Sequence, residues 1–501
     1  MMKHEQLSPP VVTCTEGALA GIASNGVDAF FDIPYAAALN QSRRFSLPGE
    51  PAPWQGVRDA TRPGPVFPQT RSRLTAVMGT TPGFANQSES AFALNVWRPA
   101  RTCATSDGLP VLVWIHGGGW LTGGAPLAWY HGDRLAASGR VVVVSVNYRL
   151  GALGNLYLPG QTAGSMALHD LAAALRWIRK NIGNFGGDPS RVTVCGQSAG
   201  AWYTAALTRS PLGTGLFSQA VLLSLPGSIA PHEPEQAAAF AHSFCELLEI
   251  PPTLDALRQL SVDRILEGQG LFARAHPVFA DIPPTFLPLV SDALPANLSE
   301  IDESQASRMR FLLGSLPEEM GAFFSHDDSV LNASDASTLQ RLAVFGERNE
   351  MRFPKEGRDG SGTDNYARLL HAVSDEIFRA PTQKLADGIA NHGGTCYVYE
   401  FMLRSRMPRT GACHCFELPY LFDTFDAWSN APMLDGLDVE AARRVSADFQ
   451  ESILCFVAGG DPNCGRLPNW PRYTSRDRSA MHFDTTPVVG TFDVSVTTIH
   501  S

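Results

Sequence analysis

Along this chain, short stretches that are apolar at nearly every position alternate with longer ones that are apolar only at every third or fourth. The runs from Leu109 to Ile115 and from Arg140 to Val146 are of the first kind. A strand can be apolar on both faces only where helices cover both, so these runs predict central parallel strands. Between Leu168 and Ile182, the residues Leu168, Leu171, Leu175, Ile178 and Ile182 fall on one helical stripe, which Gly183 ends. A further apolar run, Val192 to Cys195, follows the turn residues Asp188-Pro189-Ser190, and an Ala-rich helical segment, Ala199 to Thr208, comes directly after it. Strand, helix and strand in this order form the repeating unit of a parallel α/β sheet.

The same alternation continues on both sides. Phe30 to Tyr35 and Ala93 to Trp97 read as strands, the first inside an edge meander that runs from Cys14 to Pro68. Residues 69–90 are polar and turn-rich, a loop long enough to cover a site. Gln219 to Ser224, Met309 to Gly314 and Thr395 to Met402 predict later strands. Residues 230–306 and 323–392 are helix-rich with Pro interruptions, as insertions above a sheet would be. Asp438 to Val457 is an amphipathic helix closed by Gly459-Gly460, and short irregular strands finish the chain from Pro468. The expected architecture is one α/β domain spanning residues 1–501.

Composition narrows the function. The 501 residues are 44% hydrophobic and 18% charged, enough for a single large core. A formal charge of −10 and the absence of Lys/Arg clusters argue against a nucleic-acid partner. No apolar stretch is long enough to span a bilayer, and the first residues, Met-Met-Lys-His-Glu-Gln, have no apolar leader core, so a cytoplasmic location is expected. Nine scattered cysteines, an odd number, fit reduced thiols better than a disulfide framework. Nothing in the pattern separates a monomer from a homodimer.

The chemistry centres on Gly196-Gln197-Ser198-Ala199-Gly200, a G-x-S-x-G between the strand and helix just described. A serine on so sharp a turn is exposed as a nucleophile, and small residues two before and two after it let neighbouring backbone pass. Serine needs a base, and the base needs an orienting acid, supplied on such a sheet by loops after later strands in the order Ser, acid, His. The first acids after the strand ending at Gly314 are Glu318 and Glu319. The first histidine after the strand ending near Met402 is His414. The N–H of Ala199 and the Gly-rich segment His116-Gly117-Gly118-Gly119 stand where an oxyanion would need donors. No G-x-x-x-x-G-K-[ST] is present, and Gly117-x-Gly119-x-x-Thr122 lacks a third Rossmann glycine, so no nucleotide cofactor is expected. Cys413-His414-Cys415 lacks a fourth ligand and C-x₂-C spacing, so no metal is expected either.

These features together resemble the type-B carboxylesterases, the cholinesterase-like branch of the α/β-hydrolases. The matching stretches include Ile33-Pro34-Tyr35-Ala36, Leu94-Asn95-Val96-Trp97, Trp114-Ile115-His116-Gly117-Gly118-Gly119, Asn147-Tyr148-Arg149-Leu150-Gly151, Phe185 through Gly200 and Glu417-Leu418-Pro419-Tyr420. The resemblance implies an α/β-hydrolase fold, a mostly parallel twisted sheet whose helical insertions form a substrate gorge. It implies a triad of Ser198, Glu319 and His414, with Glu319 preferred over Glu318 because it lies five residues after Gly314 and two before Gly321. It implies oxyanion donors at Gly118, Gly119 and Ala199, and a supporting serine at Ser224. The activity implied is cofactor-free hydrolysis of small to medium, largely uncharged carboxylic esters. An aryl carbamate or amide hydrolase is the enzymatic alternative, and a non-catalytic binding protein on the same scaffold is the other. Two departures matter. Phe67 and Ala91 occupy positions where the family often forms a disulfide, and Gln197 stands where cholinesterases carry Glu.

Overall fold

The computed structural model describes residues 9–39, 41–81, 83–100, 108–277, 279, 286–349 and 364–494. Fourteen strands lie in these segments: β1 Val11–Thr13, β2 Ala18–Ala20, β3 Ile22–Ser24, β4 Val27–Pro34, β5 Val57–Asp59, β6 Ala93–Pro99, β7 Leu109–Ile115, β8 Val142–Val146, β9 Gly187–Gln197, β10 Gln219–Leu223, β11 Arg310–Ser315, β12 Thr395–Phe401, β13 Ser479–Phe483 and β14 Val488–Thr491. Eleven form one sheet in the order β14-β13-β12-β11-β10-β9-β7-β8-β6-β4-β3, and β1, β2 and β5 form a small separate one. Neighbours from β8 through β13 are parallel, and the two ends are closed by antiparallel strands. The continuous apolar runs are the central strands because both of their faces are covered: every residue of β7, β8 and β10 is buried. The stretch expected as an edge meander divides between the small sheet and the antiparallel edge β3-β4.

Two apolar clusters lie on opposite faces of this sheet. Val111, Val113 and Ile115 of β7 join one cluster with the helix Met166–Asn181, and Leu112 and Trp114 join the other with the helix Val439–Gly459. This is the period-two alternation of a strand sorting its side chains between two layers.

Between β10 and β11 lie the helices Pro234–Leu247, Leu254–Gln259, Val262–Ala275 and Glu303–Arg308. Between β11 and β12 lie Gly321–Phe324, Asp328–Leu331, Asp335–Asn349, Asn365–Ser374 and Ala380–Asn391, the last two joined by a π-helical turn, Asp375–Arg379. The first packs Phe244, Leu257, Ile265 and Phe272 against Leu153, Leu156 and Met166 of the main body, and the second has a core around Met320, Phe324, Leu369 and Phe378. Among the described residues no helix is long and apolar enough to cross a membrane.

Candidate active site

Register places the ends of four parallel strands side by side. Ile115 of β7 pairs with Gly196 of β9, Gln197 with Leu223 of β10, and Leu223 with Gly314 of β11. Whatever follows these residues emerges at one edge of the sheet, the carboxyl edge where open α/β sheets collect ligands.

Ser198 lies on the turn between β9 and the helix Ala199–Arg209, at φ 56° and ψ −124°. A non-glycine residue in that region costs on the order of 1–3 kcal/mol and persists only where the surroundings hold it. Here the Ser198 N–H donates to the Leu223 carbonyl at 2.9 Å, and the Ser198 carbonyl accepts from Trp202 at 2.9 Å. The flanking glycines are required by contact. A Cβ on Gly200 would strike the Ile115 carbonyl, and one on Gly196 would strike the Gly200 carbonyl. The chain therefore folds tightly enough to push the serine out of the sheet.

The segment His116–Gly119 leaves β7 beside this turn. A Cβ on Gly117 would lie 2.8 Å from the Gln197 carbonyl oxygen and 3.0 Å from Cβ of Ser198, so glycine permits the approach. Gly118 (φ 120°) and Gly119 (φ 61°) have positive φ. The Gly118 carbonyl is turned into the loop, where it accepts from Leu121 and Thr122 at 3.1 and 3.0 Å. The N–H groups of Gly118 and Gly119 donate to no acceptor among the described residues, and the N–H of Ala199 opens the first turn of its helix. The loop is braced from beneath. His116 stacks on Tyr148 at 4.4 Å, and Tyr148 donates to the His116 carbonyl at 2.7 Å. Burial pushes the His116 ring down to about 4, so it is neutral at neutral pH.

The segment expected to cover the site is tied to this loop. Gln69 accepts from Gly123 N–H (2.7 Å) and donates to the Gly123 carbonyl (2.8 Å), while Arg44 grips Glu89 at 2.6 Å. Phe67, at one of the absent disulfide positions, packs edge-on against Phe92 at 5.0 Å. Apolar packing and a buried amide thus hold the segment in place.

Glu319 and His414 approach from the other side, and both are buried. The Nδ1–H of His414 donates to Glu319 Oε2 at 2.6 Å, the His414 N–H donates to the Glu319 carbonyl at 3.1 Å, and Leu316 N–H donates to Oε1 at 2.9 Å. The carboxylate is thus held at both oxygens, and the ring keeps its hydrogen on Nδ1, leaving a lone pair on Nε2. Phe323 and Phe378 lie 5.5 and 4.9 Å from the imidazole centre.

Its neighbour Glu318 does something different. It binds Arg404 (2.7 Å) and the Ala412 N–H (2.7 Å), clamping the backbone of the segment that carries His414. Gly314 is explained as well, since a side chain there would occupy the ring of Tyr399 on β12.

Ser224, at φ 51°, donates its N–H to Gly314 at 2.7 Å, and its hydroxyl lies beside the carboxyl of Glu417. Glu417 is fully buried. Burial and the neighbouring Glu319 push it well above the usual carboxylate range, so it is a neutral acid at neutral pH. Cys413 and Cys415 are buried too, and burial pushes both thiols up. They are neutral packing groups, whereas a metal ligand would have to be a thiolate. Among the described residues no group of three His, Cys, Asp or Glu could hold a metal ion. Sequence reasoning passed over Glu417, although it opens the E-L-P-Y stretch used to place His414. A charged residue inside an otherwise apolar run was the available signal.

A family model described as the carboxylesterase family matches residues 8–497. The chain belongs to that family. It is 33% identical over 483 residues to the phenmedipham hydrolase of Pseudarthrobacter oxydans, covering 95% of each chain. It is 32% identical over 489 residues to the para-nitrobenzyl esterase of Bacillus subtilis, covering 95% of this chain and 94% of that one. A carboxylesterase of Geobacillus stearothermophilus superposes with a TM-score of 0.81 at 30% identity, covering 96% of this chain and 97% of that one. The fold is accordingly the α/β-hydrolase fold, and this carboxylesterase is a carboxylic ester hydrolase of the serine type.

Proposed function

We propose that Ser198 is the nucleophile, His414 its base and Glu319 the acid that orients the imidazole, with the N–H groups of Gly118, Gly119 and Ala199 receiving the oxyanion. Ser224 supports the acid side from behind. The observation that carries this reading is the 2.6 Å contact from His414 Nδ1 to Glu319, which turns the Nε2 lone pair toward the elbow. Ser198 attacks the ester carbonyl while His414 takes its proton and returns it to the leaving alcohol, and water then repeats the sequence on the acyl-enzyme. The described helices within 230–306 and 323–392 form the walls of the gorge, and Phe323 and Phe378 make its lining beside His414 apolar. The free cysteines among the described residues, with Phe67 and Ala91 where a disulfide could stand, fit a cytoplasmic enzyme.

The substrates are small to medium carboxylic esters without a cationic group. Gln197 removes the carboxylate next to the serine, and residues 69–90 hold no Trp or Tyr to face an ammonium. A neutral butyl ester is expected to exceed butyrylcholine, at matched leaving-group pKa, by about tenfold in kcat/KM, the factor set by ~1.4 kcal/mol of transition-state binding. A preference for the cation would overturn the reading. The phenmedipham hydrolase favours a second one, since phenmedipham is a carbamate. A series of p-nitrophenyl esters of increasing acyl length run beside aryl carbamates separates the two.

A further inference from the structure

We propose that Gln197 is a positioning residue that holds the His414 imidazole in the resting enzyme by donating its carboxamide N–H to Nε2, and that it surrenders this place to Ser198 when the substrate arrives. The proposal rests on the roles given above to Ser198 and His414.

Gln197 ends β9 immediately before the nucleophile, and its side chain is buried. Its Nε2 lies 3.2 Å from His414 Nε2 and 3.4 Å from Cys415 Sγ. Because His414 keeps its hydrogen on Nδ1 toward Glu319, Nε2 presents a lone pair, and only the NH₂ end of the amide can meet it. The second amide hydrogen goes to Cys415, and the amide oxygen faces Gly117, where a Cβ would lie 2.6 Å from it. The carboxamide is therefore held by two donated hydrogen bonds. Among the described residues the Ser198 hydroxyl makes no side-chain hydrogen bond, so the atom of His414 that must accept its proton is engaged by the preceding residue instead.

An amide suits this position for a chemical reason. It carries a donor and an acceptor in one plane, so a half-turn about its last torsion lets it give N–H to the neutral ring or C=O to the protonated one. Ionised glutamate can only accept and would set lone pair against lone pair in the resting state. Methionine offers neither group. Gln197 exchanges no proton: the Ser198 proton moves to His414 Nε2 and from there to the leaving alcohol.

Among the described residues the titratable groups on the elements packed around the ring include Glu319 on Nδ1, Cys413 and Cys415 on its own segment, Glu417 beyond them, Glu318 beside Glu319, and Asp375, Glu376 and Arg379 on the π-helical turn that carries Phe378. Arg379 pairs with Asp375 and Glu400, Arg404 pairs with Glu318, and Glu417 and the thiols are neutral, while Glu319 is the carboxyl hydrogen-bonded directly to the ring. A carboxylate introduced at 197 would be the second.

The test compares Gln197→Glu and Gln197→Met with the wild type in the pH dependence of kcat/KM for p-nitrophenyl butyrate, alongside fluorophosphonate labelling of Ser198. The acidic limb of the Gln197→Glu profile is expected to move to higher pH by about one unit or more, because the new carboxylate favours the protonated ring. Gln197→Met is expected to lower kcat about tenfold with KM little changed, since ground-state binding is untouched. Superimposable profiles for all three proteins, or a Met variant as active as the wild type at every pH, would overturn the proposal. Labelling keeps the two levels apart. If Ser198 reacts normally and the profiles do not move, Gln197 is only a packing residue; if Ser198 is never labelled in the wild type, the triad assignment itself falls.

Discussion

The cradle around Ser198 is made almost wholly of backbone, whereas the proposed base and acid opposite, His414 and Glu319, are held by side chains brought from distant parts of the chain. In the cradle, Gly196, Gly200 and Gly117 allow main chains to approach so closely that an added Cβ would collide. On the other side, Glu319 holds the His414 ring, Glu318 holds its backbone, and Ser224 and Glu417 fill the space behind. The cradle thus depends on close approach and should fail through steric change. The far side depends on charge and hydrogen-bond direction and should fail through changes that keep shape but alter protonation or polarity.

The sharpest break of this contrast is between two adjacent residues. Glu319→Gln keeps size but loses charge at Nδ1, and is expected to lower kcat by on the order of 10² to 10⁴. Glu318→Gln should cost less than about tenfold, because it weakens a backbone clamp without touching the ring. Steady-state kinetics with p-nitrophenyl butyrate would show the order, and the reverse order would move the acid by one residue.

The cradle is tested by Gly200→Ala. The obstructing atom is the Ile115 carbonyl, which belongs to a central strand and cannot swing aside. Destabilisation of about 3 kcal/mol or more is expected in denaturant melts, near the upper end for overpacking. A variant as stable as the wild type would show that the elbow is looser than its contacts imply.

Two buried groups make the contrast pH-dependent in opposite senses. The unfolded His116 ring takes a proton near 6.5 but the folded one only near 4, so between these values the unfolded chain binds more protons. The contribution is complete above pH 6.5 and lost as pH falls toward 4, up to about 3 kcal/mol. His116→Asn should flatten that slope in melts between pH 7 and 4. Glu417 behaves the other way: its folded value is raised, so its contribution is complete below the unfolded value of 4.5 and is lost as pH rises. Glu417→Gln, a permanent neutral mimic, should gain stability on the wild type steadily as pH rises from 5 to 8. No change of this difference with pH would mean that Glu417 is ionised in the fold.

The same contrast explains which parts could be read from the sequence. Backbone cradles leave contiguous text, because the glycines that permit close approach lie within a few residues of one another: Gly196 to Gly200 and Gly117 to Gly119 announce themselves. Strand order led to His414 and to the pair Glu318-Glu319, since each follows a recognisable apolar run, and only the resemblance preferred Glu319. The amide of Gln197 was not. Its partner lies 217 residues away, and nothing local distinguishes a glutamine that touches a histidine from one that faces solvent. Glu318 is similar, reading as a surplus acid until the Ala412 N–H is seen against it. The edge strands and the small sheet β1-β2-β5 were merged into one meander because three-residue strands carry too few alternations to separate.

The central claim is that one serine carries the acyl group. The direct measurement is reaction with a fluorophosphonate followed by peptide mapping by mass spectrometry, with turnover of p-nitrophenyl butyrate followed in parallel. One adduct per chain is expected, on Ser198, with activity falling in proportion to labelling. Ser198→Ala should take no label, remain folded by circular dichroism, and lose kcat by on the order of 10⁴ to 10⁶. An adduct on any other residue, or a Ser198→Ala variant that keeps a tenth of the wild-type turnover, would contradict the account.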